Sequence, residues 1–193
     1  MIRKMVVVFL VLCLVISLLL IACAPKEVKP EVEPVKIGAL GQMGFWTGDF
    51  VYYGAVTAAE EINAAGGILG RPLEVIRCHA NEFISVPDCV IAAERLITID
   101  KVKAVAGPCR SESDLAVQDV CADYKVMHIS SGSLATTRSE RIHENYERYK
   151  YGAKAGVSAP FVGECSGYMT GMIADVIRKE LGIENPKVAM ITE

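Results

Sequence analysis

The sequence predicts an α/β protein with an open parallel sheet that is flanked by helices. Four short apolar runs rich in β-branched residues alternate with three longer segments of helical character between residues 35 and 130. Such an alternation is typical of parallel strands joined by right-handed crossovers. The first run, residues 35–40, is apolar enough for a strand that is buried on both faces of the sheet.

The first helix is predicted from a narrow face of small side chains that can lie close against a sheet. The residues that recur at helical spacing are Val51, Ala55, Ala58, Ala59 and Ile62. A glycine-rich loop over residues 41–49 leads into this helix, and Gly66 and Gly67 follow its last turn, where a left-handed residue is needed. The chain then turns into a second strand over residues 73–76.

Capping signatures mark the next two helices. Ser85, with proline in the first turn and Asp88 three residues on, predicts a helix that runs to about residue 97. Ser111 and Asp114 repeat the signature for a helix that runs to about residue 124. Residues 138–151 are polar and have no clean period. The other predicted elements are strands over 103–107, 126–130 and 186–192, a loop over 131–137 and a helix over 166–181.

The amino terminus has the features of a bacterial or archaeal lipoprotein. Arg3 and Lys4 precede an apolar core over residues 5–21, which read alone would suit an uncleaved membrane anchor. The sequence Leu20-Ile-Ala-Cys23 instead favours cleavage before Cys23 and a diacylglycerol thioether on its thiol. Residues 1–22 are then a signal peptide, and residues 23–34, rich in proline and charge, are a tether. We expect an extracytoplasmic protein, in the periplasm or at the cell surface, that is lipid-anchored to the membrane.

The charge and the cysteine spacing exclude several classes of function. Removal of residues 1–22 leaves 18 basic against 23 acidic residues, so the formal charge changes from −3 to −5 and no basic surface for nucleic acid is expected. No pair of cysteines has the spacing of a zinc site, and no metal or other cofactor is predicted. The cysteines beyond Cys23 are odd in number, so at least one stays unpaired: Cys78, Cys89, Cys109, Cys121 and Cys165.

One stretch resembles a known family. Ala59-Glu-Glu-Ile-Asn63, followed by Gly66-Gly-Ile-Leu-Gly-Arg-Pro-Leu73, is similar to the first helix and turn of the branched-chain amino-acid binding proteins, which are extracytoplasmic receptors of ABC importers. The resemblance implies the periplasmic binding protein-like I fold, with a first ligand-binding lobe over residues 35–145 and the start of a second lobe over residues 146–193. It covers only the first half of such a receptor, so we expect a truncated receptor with impaired affinity.

The ligand is expected beyond the carboxyl ends of the strands, where open α/β sheets bind ligands. The Ser111 hydroxyl and the N–H groups of the helix behind it suit a carboxylate, although Ser111 alone could equally be a helix cap. The resemblance favours binding, because residues 107–111 look like the serine loop of the family. The neighbouring Arg110 could pair with a ligand side chain or be solvated.

Two further loops contribute candidate ligand contacts through the resemblance. The loop after residue 130 corresponds to the segment that holds the ligand ammonium and carboxylate, which implies roles for Gly132 and Ser133. Leu134 stands where a hydroxyl is expected, and a slip of one or two residues would bring Thr136 into its place. In the first loop, Trp46 and Thr47 lie where the family has an aromatic lid, and Trp46 could also be a packing residue.

A disulfide between Cys89 and Cys109 is a further hypothesis. The predicted start of the helix at Cys89 and the end of the strand before Cys109 lie at the same end of the sheet, and the family sometimes has a bridge there. Cys78 is the competing partner.

The leading functional prediction is a receptor that binds an amino acid, an amide or a small carboxylate between two lobes and delivers it to an ABC permease. A ligand sensor of the same fold is one alternative, although the lipobox argues against it. An enzyme that uses Cys109 or Ser111 with a histidine is the other. No Gly-x-Ser-x-Gly elbow is present, and no catalytic residue is predicted.

Overall fold

The computed structural model of the chain describes residues 32–187 and, outside that range, only Val6. The rest of the predicted signal peptide and nearly all of the predicted tether, including Cys23, lie outside the described residues. So does most of the strand predicted over residues 186–192. Among the described residues, no helix has both the length and the apolar character that crossing a membrane requires.

Five parallel strands form one open sheet, which confirms the predicted fold class. Every neighbouring pair is parallel, and the spatial order is β2-β1-β3-β4-β5. The order reverses at β1, so the carboxyl ends of β1 and β3 flank the switch point at which open sheets bind ligands. The strands are β1 (Val35–Gly41), β2 (Leu73–His79), β3 (Ala104–Ala106), β4 (Met127–Ser130) and β5 (Gly152–Lys154).

Helices connect and flank these strands. They are α1 (Trp46–Ala64), α2 (Val86–Thr98), α3 (Ser111–Tyr124), α4 (Thr137–Glu144), α5 (Tyr146–Tyr149) and α6 (Ala159–Leu181). The main core lies between the sheet and the helices α2 and α3, where Leu40, Leu96, Val105 and Val117 are fully buried.

Helix α1 begins at Trp46, inside the segment that the sequence predicts as a loop. The reason is Gly48, whose missing side chain lets the first turn approach the backbone of Gln42. A Cβ on Gly48 would lie 2.5 Å from the carbonyl carbon and oxygen of Gln42. The amide of Gly44 also donates to Asp49 Oδ1 in the first turn, at 3.0 Å. The glycines therefore serve a tight helix start rather than a long loop.

The two predicted caps differ in outcome. Ser85 is the cap of α2, and its hydroxyl oxygen accepts from the amide of Asp88 at 3.3 Å, as predicted. Ser111 is already the first residue of α3, and the capping position belongs to Arg110, whose side chain makes no capping hydrogen bond. The Ser111 hydroxyl is therefore not used as a cap.

The carboxyl-terminal segment differs from the rest of the described chain in its burial. The sheet continues to Lys154 through β5, beyond the lobe boundary predicted at residue 145. Helix α6 begins at Ala159, seven residues before the predicted start at Ser166, and none of its residues is buried. The amide of Ala159 donates to the carbonyl oxygen of Leu134 at 3.0 Å and joins the start of this helix to the loop after β4.

Candidate functional site

A small cavity opens at the carboxyl end of the sheet, between the loops that follow β1, β3 and β4. Its volume is about 270 Å³. Its lining combines aromatic and apolar residues of α1 with residues of the loops after β3 and β4, and a largely apolar lining is usual for a site that binds a small organic ligand. The lining residues are Trp46, Thr47, Phe50, Val51, Cys109, Ser131 and Gly132.

Two predicted ligand residues, Ser111 and Ser133, meet at this end of the sheet. The Ser133 hydroxyl donates to Ser111 Oγ over 3.4 Å, a long and weak hydrogen bond. Ser133 is 1% exposed, whereas Ser111 is half-buried. Because β3 and β4 are parallel neighbours, the residues that follow them reach the same edge. Neither residue is among those that line the 270 Å³ cavity, and the half-buried Ser111 hydroxyl is the one of the pair that can still donate to a polar ligand group at this edge.

Gly132 is required here by the side chain of Cys109. A Cβ on Gly132 would lie 2.0 Å from Cys109 Sγ, so the thiol occupies the space that a side chain would take. The predicted disulfide between Cys89 and Cys109 is not formed in the structure. Cys89 and Cys109 are both free thiols: Cys109 packs against the β4 loop, while Cys89 is fully buried in the core.

The aromatic wall is more extensive than the sequence predicts. Trp46 is 58% exposed and its ring centroid lies 6.0 Å from that of Phe50, one helical turn further on. Phe45 contacts both Trp46 and Phe83, with ring centroids 5.9 and 5.6 Å apart. An exposed aromatic cluster beside a cavity is suited to cover the apolar part of a ligand.

The remaining predicted ligand residues are engaged elsewhere. Thr47 is 3% exposed and its hydroxyl donates to Glu82, so it points into the protein. Arg110 pairs with Glu112 at 2.9 Å and also donates to the carbonyl oxygen of Phe83. Thr136 lines a different and more open cavity, of about 600 Å³, near the start of α6. Thr47 thus lines the cavity while its hydroxyl is used by Glu82, Arg110 lies beside Ser111 but is paired with Glu112, and only Thr136 belongs to a different cavity.

Sequence reasoning missed Glu82, which is fully buried. Its Oε1 accepts from the Thr47 hydroxyl at 2.7 Å and from the amide of Gln42 at 3.4 Å. Its Oε2 accepts from the amides of Cys109 and Arg110 at 2.6 and 2.9 Å. Two amides immediately before α3, in the region expected to receive a ligand carboxylate, are thus occupied by a carboxylate of the protein itself. The available signal was an acidic residue just beyond the carboxyl end of a strand.

A second buried polar cluster lies behind Ser111. The guanidinium Nη1 of Arg138 lies 3.3 Å from Asp114 Oδ2 and 2.9 Å from His128 Nδ1. His128 Nε2 lies 2.8 Å from the carbonyl oxygen of Gly107, which can only accept. The hydrogen of the neutral imidazole is therefore on Nε2, and Nδ1 accepts from Arg138. All three side chains of the cluster are at most 1% exposed.

Burial controls the ionisation of this cluster. It raises the pKa of Asp114 and lowers that of Arg138, and their mutual ion pair opposes both shifts. Burial and then the charge of Arg138 lower the pKa of His128 from 6.5 to about 3, while the hydrogen bond to Gly107 opposes this change. His128 is therefore neutral at physiological pH, and it is a structural residue.

The neutral state of His128 makes stability depend on pH. The unfolded chain binds a proton at this histidine below pH 6.5, whereas the folded chain does so only near pH 3. Its contribution is therefore complete above pH 6.5 and is lost as the pH falls, by up to about 1.4 kcal/mol per pH unit. The variant His128→Gln keeps a donor toward Gly107 but has no group that titrates. We expect its free energy of unfolding, measured with urea, to fall less steeply between pH 6 and pH 4 than that of the wild type, by up to the same amount per pH unit. Equal slopes would contradict this assignment.

The arrangement is suited to binding rather than to nucleophilic catalysis. Burial raises the pKa of the Cys109 thiol, which disfavours the reactive thiolate. His128 already uses both ring nitrogens within the buried cluster and is not available as a general base. Within residues 32–187, no group of histidine, cysteine and acidic side chains is arranged to hold a metal ion.

Comparison with known proteins gives a consistent result. An amino acid binding protein of Pseudomonas aeruginosa is 34% identical over 94 residues, which cover 49% of this chain and 25% of that protein. The Leu/Ile/Val-binding protein homolog 7 of Brucella abortus is 25% identical over 179 residues, 90% of this chain and 42% of that protein. The chain therefore spans less than half the length of these relatives.

A solved structure shows the same fold. The branched-chain amino acid transporter substrate binding protein LivJ of Streptococcus pneumoniae, in complex with isoleucine, superposes with a TM-score of 0.53 at 24% identity. The match covers 65% of this chain and 34% of that protein.

The family model for periplasmic binding proteins matches residues 34–162. This range begins at the start of β1 and includes the whole sheet and every residue that lines the 270 Å³ cavity. The resemblance inferred from residues 59–73 is thereby confirmed. Since the match covers about two thirds of the 193 residues, the chain belongs to the periplasmic binding protein family.

Proposed function

We propose that the protein is an extracytoplasmic receptor that binds an amino acid or a related small carboxylate or amide and delivers it to an ABC permease. The family is one of binding proteins rather than enzymes. The relatives are named as amino acid and Leu/Ile/Val-binding proteins, which supports an amino acid as the ligand class. Delivery to a permease and closure of a second lobe over the ligand are parts of this proposal.

One observation carries the proposal. The hydroxyls of Ser111 and Ser133 lie 3.4 Å apart at the same sheet edge as a cavity walled by Trp46 and Phe50. The Ser111 hydroxyl offers a donor to a carboxylate or an amide oxygen, and the aromatic wall offers contact area to an apolar side chain. A small amphipathic molecule with one polar end matches both halves of the site.

The occupied amides of the serine loop refine the contact expected for the ligand. Because Glu82 already accepts from the amides of Cys109 and Arg110, a ligand carboxylate would rely on the Ser111 hydroxyl, which itself accepts from the buried Ser133. Arg110 is paired with Glu112 and contributes no free charge on this side.

Attachment to the membrane is a separate part of the proposal. The sequence Leu20-Ile-Ala-Cys23 supports lipidation of Cys23 after removal of residues 1–22. Two or three acyl chains would hold the protein firmly at the membrane surface, since each buried CH₂ contributes about 0.8 kcal/mol. Mass spectrometry of the mature amino terminus tests this part independently of ligand binding.

The test of the binding proposal is titration calorimetry of the protein with amino acids, amides and small carboxylates. For any ligand that binds, we expect Ser111→Ala to weaken the affinity about tenfold, the usual cost of a lost hydrogen bond to a charged group. Thr57→Ala serves as the control, because Thr57 is exposed in the middle of α1 and follows none of the strand ends at which the site lies.

The result distinguishes the possible outcomes. Equal affinities of the Ser111→Ala and Thr57→Ala variants would contradict the assignment of the ligand to this edge of the sheet. Because a truncated receptor is expected to bind weakly, the titrations extend to millimolar ligand, and binding of none of these molecules even at that concentration would contradict the proposed ligand class.

A further inference from the structure

We propose that Glu82 is a positioning residue that sets the shape of the ligand site without contacting the ligand. The proposal rests on the receptor function proposed above. It assigns to Glu82 the role of holding the start of α1, which carries the aromatic wall, at a fixed place relative to the start of α3, which carries Ser111.

The hydrogen bonds of one carboxylate connect these two loops. Oε1 accepts from Gln42 in the loop after β1 and from Thr47 at the start of α1. Oε2 accepts from Cys109 and Arg110 in the loop after β3. Glu82 itself belongs to the loop after β2. Three chain segments that are separated by about 30 residues each are therefore joined at a single buried group.

The surrounding contacts strengthen the same connection. The Ser113 hydroxyl in the first turn of α3 donates to the backbone carbonyl oxygen of Glu82 at 2.8 Å. The Arg110 guanidinium donates to the next carbonyl oxygen, that of Phe83. Ser113 is fully buried, and Thr47 is 3% exposed. The loop after β2 is thus fastened to the start of α3 through both its side chain and its backbone.

The electrostatics of Glu82 indicate a purpose beyond packing. The carboxylate is 0% exposed, and among the described residues it forms no salt bridge. Its charge is instead balanced by hydrogen-bond donors and by the amino-terminal ends of α1 and α3, which carry partial positive charge. A buried carboxylate without a cation is costly unless its donors are held in place. The same requirement fixes the donors, and therefore the loops.

The consequence for binding is preorganisation. Trp46 immediately precedes Thr47, and Ser111 immediately follows Arg110, so both site residues are adjacent to donors of Glu82. A site whose walls are held before the ligand arrives loses less freedom on binding. Glu82 thereby determines how far the aromatic wall stands from the serine hydroxyls, and so which ligand sizes the cavity accepts.

The test uses variants of the full chain and two readouts. Trp46 is the only tryptophan of the sequence, so acrylamide quenching of its fluorescence reports directly on the start of α1 in the ligand-free protein. The variant Glu82→Met removes both acceptor oxygens. The variant Glu82→Gln keeps one oxygen, which can accept from the two amides in the loop after β3, and has an NH₂ group that can donate to Thr47. The variant Thr47→Val removes one of the donors to Glu82. Glu94→Gln, on the exposed side of α2, is the control.

We expect Glu82→Met to increase the quenching of Trp46 and to weaken ligand affinity more than tenfold, with Glu82→Gln restoring affinity to within about threefold. Thr47→Val should increase quenching in the wild-type background and have no further effect in Glu82→Met, because the bond is already lost. All measurements are made well below the thermal midpoint of each variant, where a loss of stability alone does not change the quenching.

Unchanged quenching in Thr47→Val would overturn the proposal even if Glu82→Met fails to fold, whereas Glu82→Gln is expected to leave the quenching close to that of the wild type. If Glu82→Met folds and binds the ligand as tightly as Glu82→Gln does, the proposal is also overturned, because a side chain that only fills the space would then be enough to shape the site. If the wild-type protein binds none of the tested ligands, the receptor function fails, and the quenching of the ligand-free variants still decides the role of Glu82.

Discussion

Replacement of Arg138 by methionine is expected to lower the free energy of unfolding by about 3–5 kcal/mol, because it leaves one member of a buried ion pair without its partner. The guanidinium is fully buried, and its Nη1 lies 3.3 Å from Asp114 Oδ2. Its Nη2 also donates to the carbonyl oxygens of His128 and Ala153, at 3.0 and 3.1 Å. Methionine occupies a similar volume but donates to none of these acceptors.

The matched control is Arg148→Met. Arg148 also forms a short ion pair, at 2.6 Å to Asp123, but its side chain is 40% exposed. Water replaces the lost partner at such a position, so we expect a much smaller loss of stability. Urea unfolding of both variants at neutral pH provides the measurement.

A double variant separates the ion pair from the general effect of losing a large side chain. Asp114→Leu combined with Arg138→Met removes both charges, so no buried charge remains unpaired. We expect the double variant to be more stable than Arg138→Met alone. Additive losses would show that the pair is not the reason for the sensitivity of this site.

The positions of the main strands could be predicted because buried strands appear in the sequence as short runs of apolar residues. The strands β1 to β4 all lie within or overlap the predicted runs, and α3 has the predicted bounds. Strand β5 was missed, since Gly152-Ala-Lys154 has neither β-branched side chains nor alternation. It joins the sheet through backbone pairing with β4, which a sequence pattern does not reveal.

The candidate site could be predicted only where position along the chain determines position in space. Ser111 and Ser133 each follow a strand of a parallel sheet, and such ends meet at one edge. Whether a side chain at that edge points toward the cavity or into the protein is a different question. Thr47 was predicted as a lid residue, yet its hydroxyl turns inward to Glu82.

The burial of Glu82 and Arg138 could not be predicted from the sequence for a related reason. A carboxylate or a guanidinium can be buried only where donors or acceptors from several distant segments converge on it. Glu82 accepts hydrogen bonds from Thr47 and Cys109, which are 35 and 27 positions away in the sequence. Arg138 donates to Asp114, which is 24 positions away. Read locally, each is a polar residue in a polar stretch, which the sequence alone assigns to the surface.

The second large effect is expected for Gly107→Ala, at the end of β3. Gly107 has φ of +83°, a conformation that costs an alanine about 1–2 kcal/mol. An added Cβ would also lie 2.2 Å from the carbonyl oxygen of Leu40, which belongs to the neighbouring strand. Because that contact is with backbone, only a separation of β1 and β3 relieves it. We expect a total loss of at least about 3 kcal/mol in the free energy of unfolding.

The backbone of Gly107 cannot easily move to escape this contact, since its amide donates to Ile129 O at 3.0 Å and its carbonyl oxygen accepts from His128. The same substitution at Gly54 provides the control. Gly54 is exposed on α1, and a Cβ there meets nothing within 4 Å, so Gly54→Ala is expected to stabilise the protein by about 0.5–1 kcal/mol. Chemical unfolding of the two variants should therefore give changes of opposite sign. Changes of the same sign would mean that the contact with Leu40 is relieved without separating the strands.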